Sequence, residues 1–260
     1  MGEAELEIVR APAGSDLTDA ELRALYEAAL GRSEPFRGVA RLSLPGRDGE
    51  RTAPDEELAL KLRCVRPPRF LERLAPRPSR AFNAVALALE FQGAGVLTPR
   101  PYAAFRDAGD AATVDGLATR FVDAPDLGAR LCAEPQSQHD WMRAAADAIA
   151  RLHEAGFRHR DLKGSNVLLD EIGGERAVWF LDLDGARRAS GPPRLGRRAR
   201  EIGRLFVSLT VLGADADAFV RAYADRAGLD REEGEDLLRA VWDYESDKRA
   251  RNAVRGRPLT

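Results

Sequence analysis

The sequence is short of cysteine and of long apolar runs, and each shortage excludes a class of protein. Its 260 residues include only two cysteines, too few for the disulfide framework of a small secreted domain. No stretch approaches the roughly 18 apolar residues of a membrane span, and the first residues, MGEAELE, are acidic where a signal peptide would be apolar. We therefore expect a cytoplasmic protein in a reducing compartment.

The chain also lacks an excess of charge of either sign. Forty Lys plus Arg stand against 42 Asp plus Glu, which gives a formal net charge of −2. A protein that binds nucleic acid through a basic surface would carry a positive excess, so we expect no nucleic-acid partner. The hydrophobic content of 44% is ordinary for a globular protein, and the length suffices for a large core in one bilobal domain.

One polar segment, which reads HRDLKGSN from residue 159, contains the most specific signal in the chain. It orders an Asp, a Lys and an Asn as ATP-dependent phosphoryl transfer requires. Asp161 can accept the proton of an incoming hydroxyl, and Lys163 can neutralise the transferring phosphate. Asn166 offers an amide oxygen, a hard ligand suited to Mg²⁺. We expect His159 to be packed structurally rather than to transfer protons.

A turn between two apolar runs is predicted to bring Asn166 close to a second acidic residue, Asp182. The runs 167–169 and 177–181 favour strands, and EIGGE between them favours a tight turn. Asn166 lies eight residues before Gly174 and Asp182 lies eight after it. A hairpin folded there places both side chains at its open end, so we predict that Asn166 and Asp182 hold a metal ion.

Lysine is scarce among the cations, since only Lys61, Lys163 and Lys248 occur. Because arginine is the default cation here, a lysine indicates a position that needs a compact charge. Lys163 belongs to the polar segment. Lys61 lies in an alternating, strand-like run, 57–63, which suits a Lys that contacts the α and β phosphates of a nucleotide.

Hydrophobic periodicity predicts a strand-rich first half and a helix-rich second half. Helical spacing covers 17–30, 80–92, 138–155, 197–212, 214–227 and 231–252. Alternating runs predict a hairpin within 36–65 and strands near 101–106 and 116–122. The prolines of 66–78 predict a loop, and Ala124-Pro125-Asp126 breaks the chain between the two halves.

These segments resemble the catalytic segments of the protein-kinase-like superfamily, over roughly residues 31 to 210. Within it, the chain is most similar to the bacterial lipopolysaccharide core kinases, which phosphorylate heptose or Kdo sugars. The narrower similarity rests on GVLTPRP at 95–101, the Asp-Leu-Asp form at 182–184 and REIGRL at 200–205. The resemblance implies an α+β, bilobal fold with a small antiparallel-sheet N-lobe and a larger helical C-lobe.

The same resemblance implies domain boundaries and a nucleotide site. We expect an N-terminal helical extension at 1–30, an N-lobe at 31–123 and a C-lobe at 124–260. ATP and Mg²⁺ are the implied cofactors. We expect Lys61 to contact the phosphates of the nucleotide. Gly38 is the better candidate for a phosphate loop, and Gly31 is the second candidate. Backbone groups of Arg120 and Val122 are expected to bond the adenine edge.

The chain departs from protein kinases in four places, the first of which is that no clear Gly-rich phosphate loop precedes Lys61. The acidic residue that pairs with the strand Lys would fall near Asn83 or Ala84, where there is none, and Glu90 is the nearest alternative. Asp184 stands where a Gly normally follows, so it is either a second metal ligand or a solvated turn acid. The segment between Asp182 and the next helix is short and lacks an Ala-Pro-Glu anchor.

A short segment suits a sugar or another small acceptor better than a peptide. We therefore expect ATP-dependent phosphotransfer to a hydroxyl of a lipopolysaccharide inner-core sugar, with a glycolipid acceptor met at the inner membrane surface. Two alternatives stay open: a Ser/Thr protein kinase, and a kinase-like module that binds a nucleotide or a partner without catalysis. The basic, turn-rich segment 191–198 is compatible with an anionic substrate and with a solvated surface. Nothing in the sequence indicates an oligomeric state.

Overall fold

The computed structural model describes residues 6–12, 17–32, 37–43, 57–65, 79–108, 113–209 and 212–255. The chain divides into two compact units. The first comprises Met1–Glu90 and Pro99–Val122, and the second comprises Phe91–Thr98 and Asp123–Thr260. Within the described residues, no helix combines the length and the hydropathy that crossing a membrane requires.

The first unit is built on an antiparallel sheet of five strands in the order β1-β4-β5-β3-β2. Its strands are β1 (Leu6–Arg10), β2 (Arg37–Ser43), β3 (Glu57–Val65), β4 (Pro101–Ala108) and β5 (Thr113–Arg120). Its helices are α1 (Asp19–Arg32) and α2 (Arg80–Gly93), which ends in the second unit. The predicted hairpin of 36–65 is confirmed as the β2–β3 pair, and the segments 45–49 and 66–78 lie outside the described residues.

Helix α1 begins at a capping box and packs on the sheet of the first unit. The Thr18 hydroxyl accepts a hydrogen bond from the Glu21 N–H, and the Glu21 carboxylate accepts one from the Thr18 N–H. The apolar side chains of α1 share a core with the inward-facing leucines of β3: Leu22, Leu25, Tyr26 and Ala29 with Leu58, Leu60 and Leu62. Alternation along β3 therefore leaves Lys61 on the opposite face of the sheet.

The second unit is mainly helical, as predicted. Its helices are α3 (Leu127–Ala133), α4 (Gln138–Glu154), α5 (Leu195–Leu209), α6 (Ala216–Arg226) and α7 (Arg231–Val254). Its short strands form two antiparallel pairs, β6 (Phe157–Arg158) with β9 (Arg187–Arg188) and β7 (Val167–Ile172) with β8 (Glu175–Phe180). The predicted α+β class is confirmed by the antiparallel sheet of the first unit and the helices of the second.

Helix α4 is buried along one face because its apolar residues recur every three or four positions. Trp141, Ala145, Ile149 and Leu152 are all fully buried. Helix α5 packs closely on α7, and Gly203 lies at the point of closest approach. A Cβ at Gly203 would lie 2.8 Å from Tyr244 Cδ1 and 3.0 Å from the Val241 carbonyl oxygen.

The observed units differ from the predicted domains in where the N-terminal residues belong. Strand β1 pairs with β4 and α1 shares the core of the sheet, so the described part of 1–30 is integral to the first unit rather than an extension. The difference arises because a five-residue edge strand carries too little pattern to be detected in a sequence. The second unit also takes in Phe91–Thr98, which was assigned to the N-lobe.

Candidate active site

The predicted turn around Gly174 is confirmed, and it sets the register of the β7–β8 hairpin. Val167 pairs with Phe180 at one end of the hairpin, and Ile172 pairs with Glu175 at the other. Gly173 and Gly174 form the connection with φ values of +62° and +84°. A two-residue turn with positive φ at both positions matches the twist of an antiparallel pair, and glycine adopts it without steric cost.

At the open end of this hairpin, the polar segment meets the residues that follow β8. The Leu181 N–H donates to the Asn166 carbonyl at 2.9 Å, so Asp182 is the next residue beyond the pair. Asp182 has φ 59° and ψ 62°, a left-handed conformation that turns the chain away from the extended direction two residues after β8 ends. The fold therefore brings the backbones of Asn166 and Asp182 to one place, as the spacing predicted.

Asn166 is also tied to Asp161, since its amide nitrogen donates to the Asp161 carbonyl oxygen at 2.9 Å and lies 3.4 Å from the Asp161 carboxylate. These bonds direct the amide oxygen away from Asp161. Within the described part of the chain, that oxygen accepts no hydrogen bond. The amide of Asn166 is buried, and its oxygen lies on the side opposite to Asp161; its role as a metal ligand stays a prediction.

The donor pair of Asn166 and Asp182 fits a small hard cation. An amide oxygen and a carboxylate oxygen are the ligands that Mg²⁺ takes from proteins, and it completes its shell with waters and substrate phosphates. Among the described residues, no group of three or more His, Cys, Asp or Glu could hold a metal ion. The chemistry of this pair therefore suits a cation that is bound together with a nucleotide.

The carboxylate of Asp161 lies between two cations and is about half exposed. Lys163 Nζ is 3.7 Å from one oxygen, and Arg204 Nη1 is 3.3 Å from the other. The Asp161 side chain retains 48% of its accessible surface, so a substrate hydroxyl can reach it. Because ion pairs at such exposure contribute at most about 1 kcal/mol, Lys163 can turn towards a phosphate at little cost.

Helix α5 holds the polar segment in place through one buried carboxylate. Glu201 accepts hydrogen bonds from the backbone N–H groups of His159 at 2.9 Å and of Arg160 at 3.1 Å. It also lies 3.3 Å from Arg158 Nε and 3.3 Å from His153 Nε2. Buried charge is costly unless it is paired, and here each carboxylate oxygen has partners.

The backbone at Arg160 is strained and is held from both sides. Its φ of 66° lies in the left-handed region, which costs a non-glycine residue roughly 1–2 kcal/mol. Glu201 accepts from the Arg160 N–H, and Arg204, one turn along α5, donates to the Arg160 carbonyl. The left-handed conformation of Arg160 sets the direction of the next side chain, that of Asp161. The hydrogen bonds from α5 offset the energetic cost of this conformation.

Two buried, neutral histidines connect this loop to its surroundings. Burial lowers the pKa of His159, whose Nε2 donates to the Leu181 carbonyl at 2.7 Å. Burial likewise lowers the pKa of His153 and raises the pKa of Tyr223 to about 12. The Tyr223 hydroxyl therefore donates to His153 Nδ1, at 2.8 Å, and His153 Nε2 donates to Glu201. The expectation that His159 is a packed residue is confirmed.

The pKa of Glu201 is lowered even though burial by itself raises it. Hydrogen bonds from His153 and the His159 N–H, together with the charge of Arg158, outweigh the loss of water. Glu201 therefore stays ionised, and the contacts that hold the loop persist at neutral pH.

In the first unit, the predicted nucleotide residues lie on the sheet. Lys61 is central in β3, opposite Val39 of β2 and Leu117 of β5. Gly38 is an internal residue of β2, and Gly31 lies within α1, so neither belongs to a loop. This corrects the expectation that Gly38 or Gly31 lies in a phosphate loop: both glycines occupy regular elements because their neighbours carry strand and helix patterns.

Arg120 and Val122 flank the end of β5. Arg120 is the last residue of the strand, and its N–H donates to the Arg100 carbonyl at 2.8 Å. The backbone of Arg120 could therefore hydrogen-bond an adenine only by accepting a hydrogen bond at its carbonyl oxygen. Val122 follows β5 in the segment that leads to the second unit. Roles for Lys61, Arg120 and Val122 stay predictions.

Three polar residues on α5 were not assigned roles from the sequence. Glu201 and Arg204 contact Arg160, and the Ser208 hydroxyl accepts from the Gly164 N–H at 3.4 Å. Their spacing of three and four positions places them on one side of the helix. The sequence shows these three polar residues within a largely apolar run, but the element that they contact depends on how α5 packs.

Comparisons with known proteins agree with this geometry. The model of the lipopolysaccharide kinase (Kdo/WaaP) family matches residues 73–223. A 3-deoxy-D-manno-octulosonic acid kinase of Haemophilus influenzae is 29% identical over 143 residues, covering 51% of this chain and 59% of that protein. The kinase of the same description from Vibrio parahaemolyticus is 32% identical over 111 residues, covering 42% and 45%. The chain thus spans about half the length of the curated relatives it matches.

A more distant similarity extends over a short segment. The serine/threonine-protein kinase PkaA of Streptomyces coelicolor is 38% identical over 80 residues, which is 29% of this chain and 15% of that protein. Among solved structures, one described as WaaP in complex with acyl carrier protein matches with a TM-score of 0.59. It covers 94% of this chain and 98% of that chain at 18% identity, which shows the same fold.

Proposed function

The chain belongs to the lipopolysaccharide kinase (Kdo/WaaP) family, and we propose that it transfers the γ-phosphate of ATP to a hydroxyl of a lipopolysaccharide inner-core sugar. The observation that carries this proposal is the placement of Asp161. Its half-exposed carboxylate lies between Lys163 and Arg204 and is hydrogen-bonded to the amide of Asn166. One base, two cations and an oriented metal ligand therefore converge within a few ångströms.

Asp161 is the general base in this mechanism. It accepts the proton of the sugar hydroxyl as that oxygen forms a bond to the γ-phosphorus and the bond to the leaving ADP oxygen breaks. The products are a phosphate monoester and ADP, and the proton resides on Asp161 until water removes it. Positioned proton transfer of this kind contributes roughly 10²- to 10⁴-fold to a rate.

The remaining residues orient the reactants and neutralise charge. Lys163 moves from Asp161 towards the transferring phosphate, while Arg204 keeps the Asp161 side chain and the Arg160 carbonyl in place. Asn166 and Asp182 would hold Mg²⁺, which neutralises the phosphates when it is bound. Lys61 of the first unit is the expected contact of the α and β phosphates.

The acceptor is proposed to be a sugar of a glycolipid. Two of the curated relatives that the chain matches are described as kinases of an octulosonic acid, a sugar acid. The segment 183–194, between Asp182 and α5, holds only a short turn and β9, whereas protein kinases use a longer segment there to dock a peptide. The reaction would then take place in the cytoplasm, at the face of the inner membrane where lipid-linked acceptors are exposed.

Mass spectrometry of the acceptor tests this proposal. The purified protein is incubated with ATP and Mg²⁺ and either a lipid A precursor that bears one octulosonic acid sugar, a heptose-bearing core, or casein as a protein acceptor. We expect one added phosphate on a glycolipid, located on a sugar by fragmentation, and its loss when EDTA is present. Phosphate on casein alone would assign the chain to the protein kinases, and nucleotide binding without any transfer would make it a binding module.

A further inference from the structure

A run of arginines without any acidic residue follows the candidate metal ligands. Between Gly185 and Arg200 the chain has no Asp and no Glu, and it contains Arg187, Arg188, Arg194, Arg197, Arg198 and Arg200. The rest of the chain has an acidic excess, with 34 Lys plus Arg against 42 Asp plus Glu. The local positive charge is therefore a property of this segment and not of the composition.

The fold places this run next to the catalytic segment. Strand β9, which contains Arg187 and Arg188, pairs with β6, and the polar segment begins directly after β6. On α5, Arg197 and Arg200 precede Glu201 and Arg204 by one helical turn. Residues four apart share a helix face, so these exposed arginines extend the stripe that contacts the polar segment.

Three of these arginines are exposed without an acidic neighbour. Within the described part of the chain, no ion pair involves Arg194, Arg197 or Arg200. Among the other exposed arginines of the second unit, Arg226, Arg231 and Arg239 pair with Glu154, Glu235 and Asp236. Several more have no ion pair within the described residues, among them Arg143, Arg151, Arg221 and Arg251. What distinguishes Arg194, Arg197 and Arg200 is therefore their position beside the polar segment. Arg197 also lies in the first turn of α5, where the helix dipole disfavours cations. A negatively charged partner would offset both effects.

We propose that Arg194, Arg197 and Arg200 form a docking surface, the arginine surface, for an anionic phospholipid bilayer. The inference rests on the proposed function, because a lipid-linked acceptor requires the catalytic segment to face a membrane. Docking through the arginine surface would present Asp161 to sugars close to the bilayer.

The shape of the arginine surface favours a planar array of headgroups over a single small anion. The three arginines are exposed and line neither of two cavities in the second unit. A cavity of about 900 Å³ lies between α4 and α6, and one of about 300 Å³ lies beside the β7–β8 hairpin. Neither cavity is lined by Arg194, Arg197 or Arg200. Charges spread over an open surface match many phosphates better than one.

Vesicle sedimentation tests the arginine surface without requiring catalysis. The full chain is mixed with vesicles of phosphatidylglycerol and phosphatidylcholine in equal amounts, or with phosphatidylcholine alone, at low and at high salt. Binding is expected only to the anionic vesicles, and it weakens with salt because screening shortens the reach of the charges. Each arginine contributes about a factor of five, so R194Q/R197Q/R200Q should bind on the order of 100-fold more weakly.

A charge-matched variant, R226Q/R231Q/R239Q, serves as control because it removes the same charge from α6 and α7. Equal weakening by both triple variants would overturn the proposal, since any cation would then serve. The proposal would also be overturned if the unsubstituted protein failed to bind anionic vesicles at low salt. An acidic protein would then be the remaining candidate partner of the arginine surface. Phosphate transfer to a soluble, delipidated acceptor reports on the proposed function separately, so the two failures are distinguishable.

Discussion

The carboxylate of Glu201 accepts a hydrogen bond of 2.9 Å from the backbone N–H of His159. The two residues are 42 positions apart in the chain and are both buried. Through this bond and its contact with Arg160, α5 determines the conformation of the segment that contains Asp161. The geometry of the candidate base is therefore a consequence of how one helix packs.

Replacing Glu201 tests this dependence. Glu201→Ala leaves Arg158 and two backbone N–H groups unpaired, so we expect the free energy of unfolding to fall by about 3–5 kcal/mol. Glu201→Gln keeps one acceptor oxygen and should lose less, about 1–3 kcal/mol. Urea unfolding of both variants measures the difference. Glu235→Gln, which removes a carboxylate from an exposed pair on α7, should change stability by less than about 1 kcal/mol. Equal effects of Glu201→Gln and Glu235→Gln would contradict the assigned role.

The buried histidines predict that stability falls in mild acid. The pKa values of His153 and His159 are lowered by burial, so below about pH 6.5 the unfolded chain binds protons that the folded chain does not. Each histidine can contribute up to about 1.4 kcal/mol per pH unit. The lowered pKa of Glu201 acts in the same direction, because its stabilisation is lost as the pH falls through the folded-state pKa.

Urea unfolding between neutral and mildly acidic pH measures this slope. His153→Gln should flatten this slope, because it removes one of the two histidines whose pKa is lowered by burial. A pH-independent stability in the unsubstituted protein over that range would show that the histidines are not held neutral.

A pair of glycine substitutions tests the packing of α5 on α7. Gly203→Ala should lower the free energy of unfolding by about 1–3 kcal/mol, because the new methyl group would clash with Tyr244 and the Val241 carbonyl. Gly234→Ala, in α7, meets only Ala224 Cβ at 3.5 Å and should stabilise the protein by up to about 1 kcal/mol through helix propensity. Opposite signs in urea unfolding are expected, and stabilisation by both would exclude the close contact.

The two acids after β8 should differ in their effect on metal-dependent nucleotide binding. Asp182→Asn removes a charged oxygen from the proposed Mg²⁺ site, so the Mg²⁺ concentration that supports ADP binding should rise at least about ten-fold. Asp184→Asn should shift it only slightly if Asp184 is a turn acid. Titration of each variant with Mg²⁺ in the presence of a fluorescent ADP analogue measures the Mg²⁺ concentration that supports binding. An equal rise of this concentration in both variants would indicate that both acids are ligands.

Much of this site could be predicted because its signals are local. Two glycines between two apolar runs determine the β7–β8 turn, and the turn alone aligns Asn166 with Leu181. The order of Asp161, Lys163 and Asn166 within one short loop is equally local. The helices of the second unit follow from periodic apolar positions, as the fully buried face of α4 shows.

The contribution of α5 could not be predicted, because it depends on tertiary packing. REIGRL reads as an ordinary amphipathic turn until the helix is placed against the loop. Only then do Glu201 and Arg204 meet the N–H and the carbonyl of Arg160. Similarly, the resemblance to kinases implied that Gly38 lies in a phosphate loop, whereas its pairing with Leu62 in a regular ladder places it in a strand.

The most direct test of the account is phosphate transfer by Asp161→Asn, measured beside the unsubstituted protein with γ-labelled ATP, Mg²⁺ and the glycolipid acceptor. The asparagine keeps the shape of the side chain and removes the base, so we expect an unchanged unfolding midpoint, retained nucleotide binding and a transfer rate lower by at least about 100-fold. Transfer at the unsubstituted rate by the folded variant would contradict the assignment of Asp161 as the base.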